Sequence, residues 1–279
     1  MPIAVLIPVY QAEEPALFDQ ALESIESQQV EANEIRIYLG IDGLLGSALG
    51  QVVAEHEPRL YKIVRHDNNI GPSRVLNSLY QVLEQEALIF RMDSDDVSLP
   101  GRFQKQIDFM AQHPEIDILG GAIEEHDVEK GQVNLRFYPQ DPNGMTKAIC
   151  KGNPVAHPTV CMRREVLDKL GGFPEVRNQD LALWIEALAS GMKISNLGEP
   201  LVRMTISENF FKRRRSLKRS WPEIVLFTRA VWRLHGFSWR YIYPFSRLVF
   251  RLMSPEFHRR IYASRFRNSL LGDRKDLSL

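Results

Sequence analysis

The sequence predicts an α/β fold in which a largely parallel sheet is covered by helices on both faces. Short apolar runs typical of buried strands recur at residues 3–8, 35–41, 61–64 and 87–92. Helical patterns with one apolar face lie between them, as in residues 17–25 and 75–83. Strands that alternate with amphipathic helices are typical of βαβ units, and such units build parallel sheets.

The first apolar run begins almost at the amino terminus. It has no basic leader and no cleavage pattern, so we interpret it as a buried strand and not as a signal peptide. This predicts a cytoplasmic protein. The two cysteines, Cys150 and Cys161, are too few and too far apart for a zinc or disulfide framework, and we expect reduced, partly buried thiols.

The later apolar runs are shorter and less regular. Strand-like pieces lie near residues 116–119, 133–138 and 158–162, and a helical pattern lies near 179–189. We interpret them as a mixed α+β part of the same domain, because no linker or internal repeat separates them from the first runs. The predicted catalytic domain is therefore residues 1–206.

The charges are divided unevenly along the chain. The whole chain has no net charge, with 35 basic and 35 acidic residues. Residues 207–279 hold 17 Lys and Arg against 5 Asp and Glu, or +12, which leaves 18 against 30, or −12, for residues 1–206. Aromatic residues are interleaved with these cations, and no apolar stretch reaches the ~20 residues that cross a bilayer. We predict a basic helical extension that lies peripherally on an anionic membrane. The alternative is that it only packs on the domain or forms a dimer contact.

Three carboxylates follow the fourth predicted strand, in the run Asp93, Ser94, Asp95 and Asp96. Carboxylates this close repel one another unless a cation neutralises them, and Mg²⁺ or Mn²⁺ binds one or two carboxylates together with phosphate oxygens. The alternative is a solvated acidic turn that caps a helix beginning near Pro100. The ligand side of such a sheet is the carboxyl end of its strands, where this run lies.

Seven segments, in order, carry a resemblance to a known family. They are the first strand with Pro8-Val9-Tyr10, then Ile41-Asp42-Gly43, Asn69-Ile70-Gly71 with Arg74 and Asn77, Arg91-Met92-Asp93-Ser94-Asp95-Asp96 with Leu99-Pro100 and Arg102, His157-Pro158, Gly171-Gly172-Phe173, and Gln179-Asp180 before Leu183-Trp184. Over about residues 3–206 the sequence resembles family 2 glycosyltransferases of the GT-A fold. The resemblance implies a Rossmann-like mixed sheet with helices on both faces.

The resemblance also implies a site for a nucleotide sugar and a metal ion. Asp42 would accept a hydrogen bond from the base, Asp93 would face the ribose or the sugar, and Asp95 would hold Mg²⁺ or Mn²⁺ on the diphosphate. The predicted nucleotide-sugar residues are Pro8, Val9, Tyr10, Asp42, Asn69, Gly71, Arg74, Asn77, Asp93 and Ser94. For Arg74 and Asn77, an ordinary surface position near a helix amino terminus remains the alternative.

The catalytic base implied by the resemblance is Asp180. Inverting transfer needs a group that removes a proton from the acceptor hydroxyl, and Gln179 replaces the Glu of the family's acidic pair, which leaves one carboxylate for this role. The alternative for Asp180 is a helix-terminal residue favoured by the helix dipole. His157, Gln179 and Trp184 are predicted on the acceptor side, although His157 could also be a purely structural histidine.

The predicted function is inverting transfer of one sugar from a nucleotide diphosphate sugar, with UDP expected from its frequency in the family. The Gln-x-x-Arg-Trp pattern of processive synthases is absent around Trp184. The expected acceptor is a lipid-linked glycan of bacterial surface polysaccharide synthesis, of the exopolysaccharide, capsule or O-antigen type. The enzyme would then lie on the inner face of the cell membrane.

Three other functions compete with this one. A nucleic-acid-binding protein could use the basic, aromatic-rich extension, but the acidic body offers no second basic face, and we expect no nucleic-acid partner. Another metal-dependent nucleotide-phosphate enzyme would need a nucleophilic Asp or a Gly-rich basic loop where Pro8-Val9-Tyr10 stands. An inactive family member is disfavoured by Asp93, Asp95 and Asp180.

Overall fold

One mixed sheet organises the chain in the computed structural model, which describes residues 2–31, 34–127, 131–206 and 217–251. The strands in these ranges are β1 (Pro2–Tyr10), β2 (Glu34–Asp42), β3 (Lys62–His66), β4 (Leu88–Arg91), β5 (Asp96–Ser98), β6 (Ile118–Asp127), β7 (Gln132–Arg136), β8 (Cys161–Arg163) and β9 (Ile194–Ile206). The helices are α1 (Pro15–Glu26), α2 (Ser47–His56), α3 (Pro72–Gln81), α4 (Arg102–Gln112), α5 (Met145–Lys151), α6 (Arg164–Leu170), α7 (Gln179–Ala189), α8 (Leu217–His235) and α9 (Ile242–Arg251).

The sheet has a parallel half and a largely antiparallel half. The strand order is β3-β2-β1-β4-β8-β6-β9-β5, and β7 pairs with β6 outside this path. The first four strands in this order are parallel. β8 runs antiparallel to β4 and β6, whereas β6 and β9 are parallel with a bulge near Gly121 and Ala122. This arrangement confirms the predicted mixed α/β fold.

Helices cover both faces of the sheet because the side chains of its strands alternate. On β1, Ala4 and Leu6 belong to one buried cluster, and Val5 and Ile7 belong to the other. The first cluster contains residues of α3, α5, α6, α7 and α8, and the second contains residues of α1, α2 and α4. The predicted ligand residues lie at the carboxyl ends of the parallel strands, where Val9, Ile41 and Met92 also belong to the second cluster.

The beginning of the predicted extension packs on the catalytic domain. Leu226, Phe227, Ala230 and Val231 of α8 are buried in the same cluster as α5 and α7. The other predicted parts of the extension, 207–216 and 252–279, lie outside the described residues. Within the described ranges, no helix is both long and apolar enough to span a bilayer.

Three local predictions differ from the structure. The acidic run ends in a short strand that was not predicted, since Asp96–Ser98 forms β5 and pairs with β9. The predicted strand at 158–162 begins instead with a short 3-10 helix, His157–Thr159, and only Cys161–Arg163 is extended. The apolar piece at 116–119 overlaps only the start of β6, which continues to Asp127. In each case the limits of the strand depend on its pairing with another strand, which a local sequence pattern does not show.

Candidate active site

The parallel strands bring three polar side chains to one edge of the sheet. Tyr10 lies beside Asp42 in the register of β1 and β2, and Asp42 lies beside His66 in the register of β2 and β3. Pro8 and Val9 precede Tyr10 on β1, with Val9 buried. The edge predicted for the nucleotide is therefore built by the ends of neighbouring strands, as in other open α/β sheets.

Asp42 shapes the loop that leads from β3 into α3. One of its carboxylate oxygens accepts a hydrogen bond from the backbone N–H of Ile70 at 2.6 Å, and the other accepts one from Gly71 at 3.1 Å. Gly71 has a φ of +89°, which favours glycine. Asn69 is exposed on the same loop. Asp42 thus holds this loop against the edge, and its carboxylate retains further lone pairs for a ligand.

Arg74 and Asn77 of α3 both contact the turn that follows α6. Arg74 Nε pairs with Glu175 at 2.9 Å, and both side chains are exposed. Asn77 donates to the carbonyl of Phe173 at 3.0 Å and accepts from its N–H at 2.7 Å. In the absence of a ligand, these two predicted nucleotide-site residues therefore connect α3 with the 171–175 turn.

The acidic run meets three different environments. Asp93 pairs with Arg91 at 2.5 Å. Asp95 is partly exposed, whereas Asp96 is buried beneath β9, where burial and the neighbouring Asp93 and Asp95 raise the pKa of its carboxyl. The mutual repulsion expected of these carboxylates is thus relieved in part by an arginine and in part by burial.

The donor set of this run suits a hard divalent cation that also binds phosphate. Among the described residues, no group of three or more His, Cys, Asp or Glu side chains is arranged to hold a metal ion. Mg²⁺ sites that serve a diphosphate use one or two carboxylates and take their other ligands from phosphate and water. Asp95, with Asp93 two residues before it, fits this pattern.

A buried polar pair on α4 lies under the acidic run. Arg102 donates to the carbonyl of Arg91 at 2.9 Å and to Gln106 Oε1 at 3.2 Å. Gln106 donates in turn to the carbonyls of Leu119 at 3.1 Å and Thr159 at 2.9 Å. Burial lowers the pKa of Arg102 to about 9. The pair connects the end of β4 with the 3-10 helix that contains His157, a role for Gln106 that the sequence did not indicate.

Asp180 lies in the first turn of α7. The residue before Gln179 is Asn178, whose φ of 56° is the only left-handed value of a non-glycine residue within the described ranges. Asn153 donates to Asp180 Oδ2 at 2.6 Å. Burial raises the pKa of Asp180 and the charge of Asp93 adds to this, while the hydrogen bonds from Leu181 and Asn153 oppose it. A carboxyl with a raised pKa beside a strained backbone is typical of a functional position.

Several buried polar atoms near Asp180 have no hydrogen-bond partner in the protein. They are Arg91 Nε, His157 Nε2, Gln179 Oε1 and Trp184 Nε1. The rings of His157 and Trp184 meet edge to face, with centroids 6.0 Å apart. Burial, with a smaller contribution from the charge of Arg91, lowers the pKa of His157 to about 3, so the imidazole is neutral at pH 7. Buried polar groups are nearly always satisfied, so unsatisfied ones mark a place for a polar ligand or water.

The donor and acceptor halves of the predicted site are electrostatically connected. The charge of Asp93 raises the pKa of Asp180 on α7 and also acts on His157. The side chains predicted for the donor and for the acceptor are therefore close enough to influence one another, although they come from opposite halves of the sheet. Arg91, which pairs with Asp93 and has an unsatisfied Nε, joins the two.

A separate cleft of about 470 Å³ lies at the other end of β2. It is lined by Ile25, Glu26, Gln28, Gln29, Val30, Ile35, Ile37 and Arg59. Its two charged side chains already pair with each other at 2.5 Å. The chemistry of the molecule therefore concentrates at the carboxyl edge and not in this cleft.

The fold and this edge together define a nucleotide-sugar-dependent glycosyltransferase of the GT-A type. The sequence profile described as Glycosyl transferase family 2 matches residues 4–171. The chain belongs to this family.

The chain is similar to named bacterial glycosyltransferases. It is 30% identical to the amylovoran biosynthesis glycosyltransferase AmsE of Erwinia amylovora over 253 residues, which cover 90% of this chain and 94% of the relative. It is 30% identical to the UDP-Gal:alpha-D-GlcNAc-diphosphoundecaprenol beta-1,3-galactosyltransferase of Escherichia coli, with 79% and 80% covered. Both similarities extend over most of the chain and agree with its membership of the family.

A solved structure supports the fold independently. The chain superposes on S. aureus TarS 1-349 in complex with UDP with a TM-score of 0.61 and 19% sequence identity, covering 96% of this chain and 74% of that one. At this identity the likeness shows the fold.

Proposed function

We propose that this enzyme transfers one sugar, with inversion, from a UDP-sugar to a hydroxyl of a lipid-linked glycan. The observation that carries the proposal is the group of unsatisfied polar atoms on Arg91, His157, Gln179 and Trp184 near Asp180. A sugar offers hydroxyl groups that both donate and accept hydrogen bonds, which these atoms need. A carboxylate with a raised pKa at the same place supplies the base that inverting transfer requires.

The donor binds at the ends of the parallel strands. In this proposal Pro8, Val9, Tyr10 and Asp42 line the base. Asn69, Gly71, Arg74, Asn77 and Ser94 complete the nucleotide-sugar site, and Asp93 faces the ribose or the sugar. UDP is the expected nucleotide, supported by the UDP-sugar donor named for the Escherichia coli relative and by the UDP complex of TarS.

Asp95 is the proposed metal ligand, and its partly exposed carboxylate suits a cation shared with a diphosphate. When bound, Mg²⁺ or Mn²⁺ supplies positive charge that stabilises the diphosphate. Family enzymes often use such ions, and the donor set of the acidic run agrees with either of them.

The reaction itself requires one proton transfer. The acceptor hydroxyl approaches the anomeric carbon on the side opposite the nucleotide, and Asp180 takes its proton as the new C–O bond forms. The bond between the anomeric carbon and the diphosphate oxygen breaks with both electrons leaving on the nucleotide. His157, neutral at pH 7, and the indole N–H of Trp184 orient the acceptor without competing for the proton. A single attack from the opposite face inverts the anomeric configuration.

The relatives and the charge of the chain support the proposed acceptor and location. The Escherichia coli relative is named for a diphosphoundecaprenol-linked acceptor. With a comparable acceptor, this enzyme would work in the cytoplasm, bound peripherally at the inner face of the membrane, where the +12 charge of residues 207–279 attracts anionic lipid. No nucleic-acid partner is expected.

Calorimetry with UDP, GDP, CDP and dTDP tests the donor site. We expect selective binding of UDP that needs Mg²⁺ or Mn²⁺ and that Asp95→Ala abolishes. Asp108→Ala is the matched control, because Asp108 is an exposed aspartate of α4 that pairs only with Gln104. The control should bind like the wild type. Absence of nucleotide binding with either metal, or undiminished metal-dependent binding by Asp95→Ala, would contradict the proposal.

A further inference from the structure

Large apolar side chains lie exposed along α8, on the side turned away from the domain. Trp221 and Trp232 are 61% and 62% exposed, and Val225 lies between them. Their spacings of four and seven residues place them on one stripe of the helix. Phe227 and Ala230 are buried on the opposite side. α8 is therefore apolar on two faces, although the domain covers only one of them.

The exposed apolar surface continues past the end of α8. Phe237 is 99% exposed, Trp239 is 67% exposed, and Ile242 and Phe245 of α9 are also exposed. Seven of the thirteen large apolar side chains that are exposed in the described ranges fall between Trp221 and Phe245. Isolated exposed apolar residues are ordinary, whereas a concentration of this kind marks an interaction surface.

The chemistry of this surface favours a lipid headgroup region over a protein partner. Three of its members are tryptophans, and tryptophan is enriched where a membrane meets water. Arg240 lies 5.3 Å from the ring centre of Trp239, which places a cation directly beside the apolar surface. With +12 on residues 207–279, the same surface of a second copy would be repelled, and an anionic bilayer would be attracted.

The same surface is attached to the helix that carries the proposed base. Arg229 and Arg233 of α8 bind the two carboxylate oxygens of Glu186 on α7 at 2.8 and 2.9 Å. Glu186 is six residues from Asp180, or about 9 Å along the helix axis. Anything that fixes α8 at a membrane therefore fixes Asp180 near it.

We propose that the exposed stripe of α8 and the segment 237–245 form a docking surface that inserts into the interface of an anionic bilayer. The surface holds α7, and with it Asp180, where a lipid-linked acceptor is presented. The role of the surface in presenting the acceptor rests on the proposed function. Binding of the surface to the membrane is a separate claim and is tested separately.

Intrinsic tryptophan fluorescence of the full chain tests the docking surface. Three of the four tryptophans, Trp221, Trp232 and Trp239, belong to the surface, and the fourth, Trp184, is buried. Vesicles of phosphatidylglycerol and phosphatidylethanolamine should shift the emission to shorter wavelength and protect it from acrylamide. Tryptophans already protected without vesicles would show that protein covers the surface, which would overturn the proposal.

Sedimentation with the same vesicles separates the apolar contribution from the charge. The triple variant Trp232→Ser, Phe237→Ser, Trp239→Ser should bind at least tenfold more weakly, although it keeps every cation. The matched control replaces Val133, Leu135 and Phe137, which are exposed apolar residues around β7, by serine. It should bind like the wild type. Equal losses in both variants, or none in the first, would refute the docking surface.

Two further measurements keep the outcomes distinct. Unchanged UDP affinity and melting temperature would show that the triple variant is folded. If the wild type binds nucleotide but not vesicles, the docking surface is wrong and the proposed function survives. If it binds vesicles but no nucleotide, the reverse holds. Preferential, salt-sensitive binding of labelled RNA or DNA over vesicles would assign the surface to nucleic acid instead and overturn the proposal.

Discussion

Replacement of Asn153 by alanine tests the role of Asp180 through the pH dependence of the reaction. The amide of Asn153 donates to Asp180 Oδ2 at 2.6 Å, and this hydrogen bond favours the ionised carboxylate. Burial, with a contribution from Asp93, acts in the other direction and raises the pKa of Asp180. The variant removes one of the hydrogen bonds that lower the pKa of Asp180 and leaves the burial, so the pKa should rise further.

The size of the effect follows from the hydrogen bond that is lost. A hydrogen bond to a charged group contributes about 1.5–3 kcal/mol, and one pKa unit corresponds to about 1.36 kcal/mol. Because Asp180 is partly exposed, the lower end of this energy range applies to the lost hydrogen bond. A base must be ionised to accept a proton, so activity falls as pH drops through its pKa. The acid limb of kcat/KM should therefore move to higher pH by about one unit.

The assay is kcat/KM for sugar transfer as a function of pH, measured with saturating metal ion. The plateau at high pH should stay within a few-fold of the wild type, whereas Asp180→Asn should lose about 10²–10⁴-fold at every pH. The control is Asn143→Ala, because Asn143 is an exposed asparagine in the short 3-10 helix Pro142–Gly144, on the other side of α5 from Asn153. An unmoved acid limb in Asn153→Ala would refute the tuning of Asp180, and an active Asp180→Asn would refute the base.

Three other predictions concern residues that support the site. Gln106→Leu removes the hydrogen bonds that Gln106 makes to the carbonyl of Thr159 and to the buried Nε of Arg102, so urea titration should show a loss of about 3 kcal/mol. Gly172→Ala should lower stability by about 2 kcal/mol in the same assay, because φ is +97° and a Cβ would lie 2.6 Å from Asn77 Oδ1. Burial disfavours the charged form of His56, but hydrogen bonds with two carboxylates outweigh it and raise the pKa. The stability that results is present below the unfolded pKa of about 6.5 and is lost as pH rises through the folded pKa. His56→Gln should therefore lower the free energy of unfolding by about 2 kcal/mol at pH 6 and by less at pH 9. Urea unfolding at both pH values tests this.

The sequence best predicted the strands that are buried on both faces and the helix whose apolar pattern is regular. β1 and β4 are continuous apolar runs because helices cover both faces of the parallel half. The helix predicted near 179–189 is α7, which begins and ends at those residues. β5 was missed because its first residue, Asp96, is an unusual strand residue that is buried only through pairing with β9.

In the candidate site, the sequence revealed the residues that belong to short motifs and missed those that matter only through contacts made in the fold. The acidic run and Gln179-Asp180 could be found because a short motif records each of them. Gln106 and Asn153 carried no such signal, since each matters only for the backbone or carboxylate that the fold brings to it. A buried Arg91 two residues before the acidic run was a signal that could have been used. An arginine at the end of an otherwise apolar strand needs a nearby anion.

Donor specificity and acceptor specificity should respond differently to substitution, because their proposed residues lie on different elements. The donor groups lie on the ends of parallel strands whose register is set by continuous pairing, as for Tyr10, Asp42 and His66. The proposed acceptor groups lie on the short 3-10 helix of His157 and on the first two turns of α7. Because these elements differ from those that carry the donor groups, substitutions on the acceptor side should change the acceptor with little effect on UDP affinity. A coupled loss of both would instead point to Arg91, which pairs with Asp93 and whose Nε has no hydrogen-bond partner among the described residues.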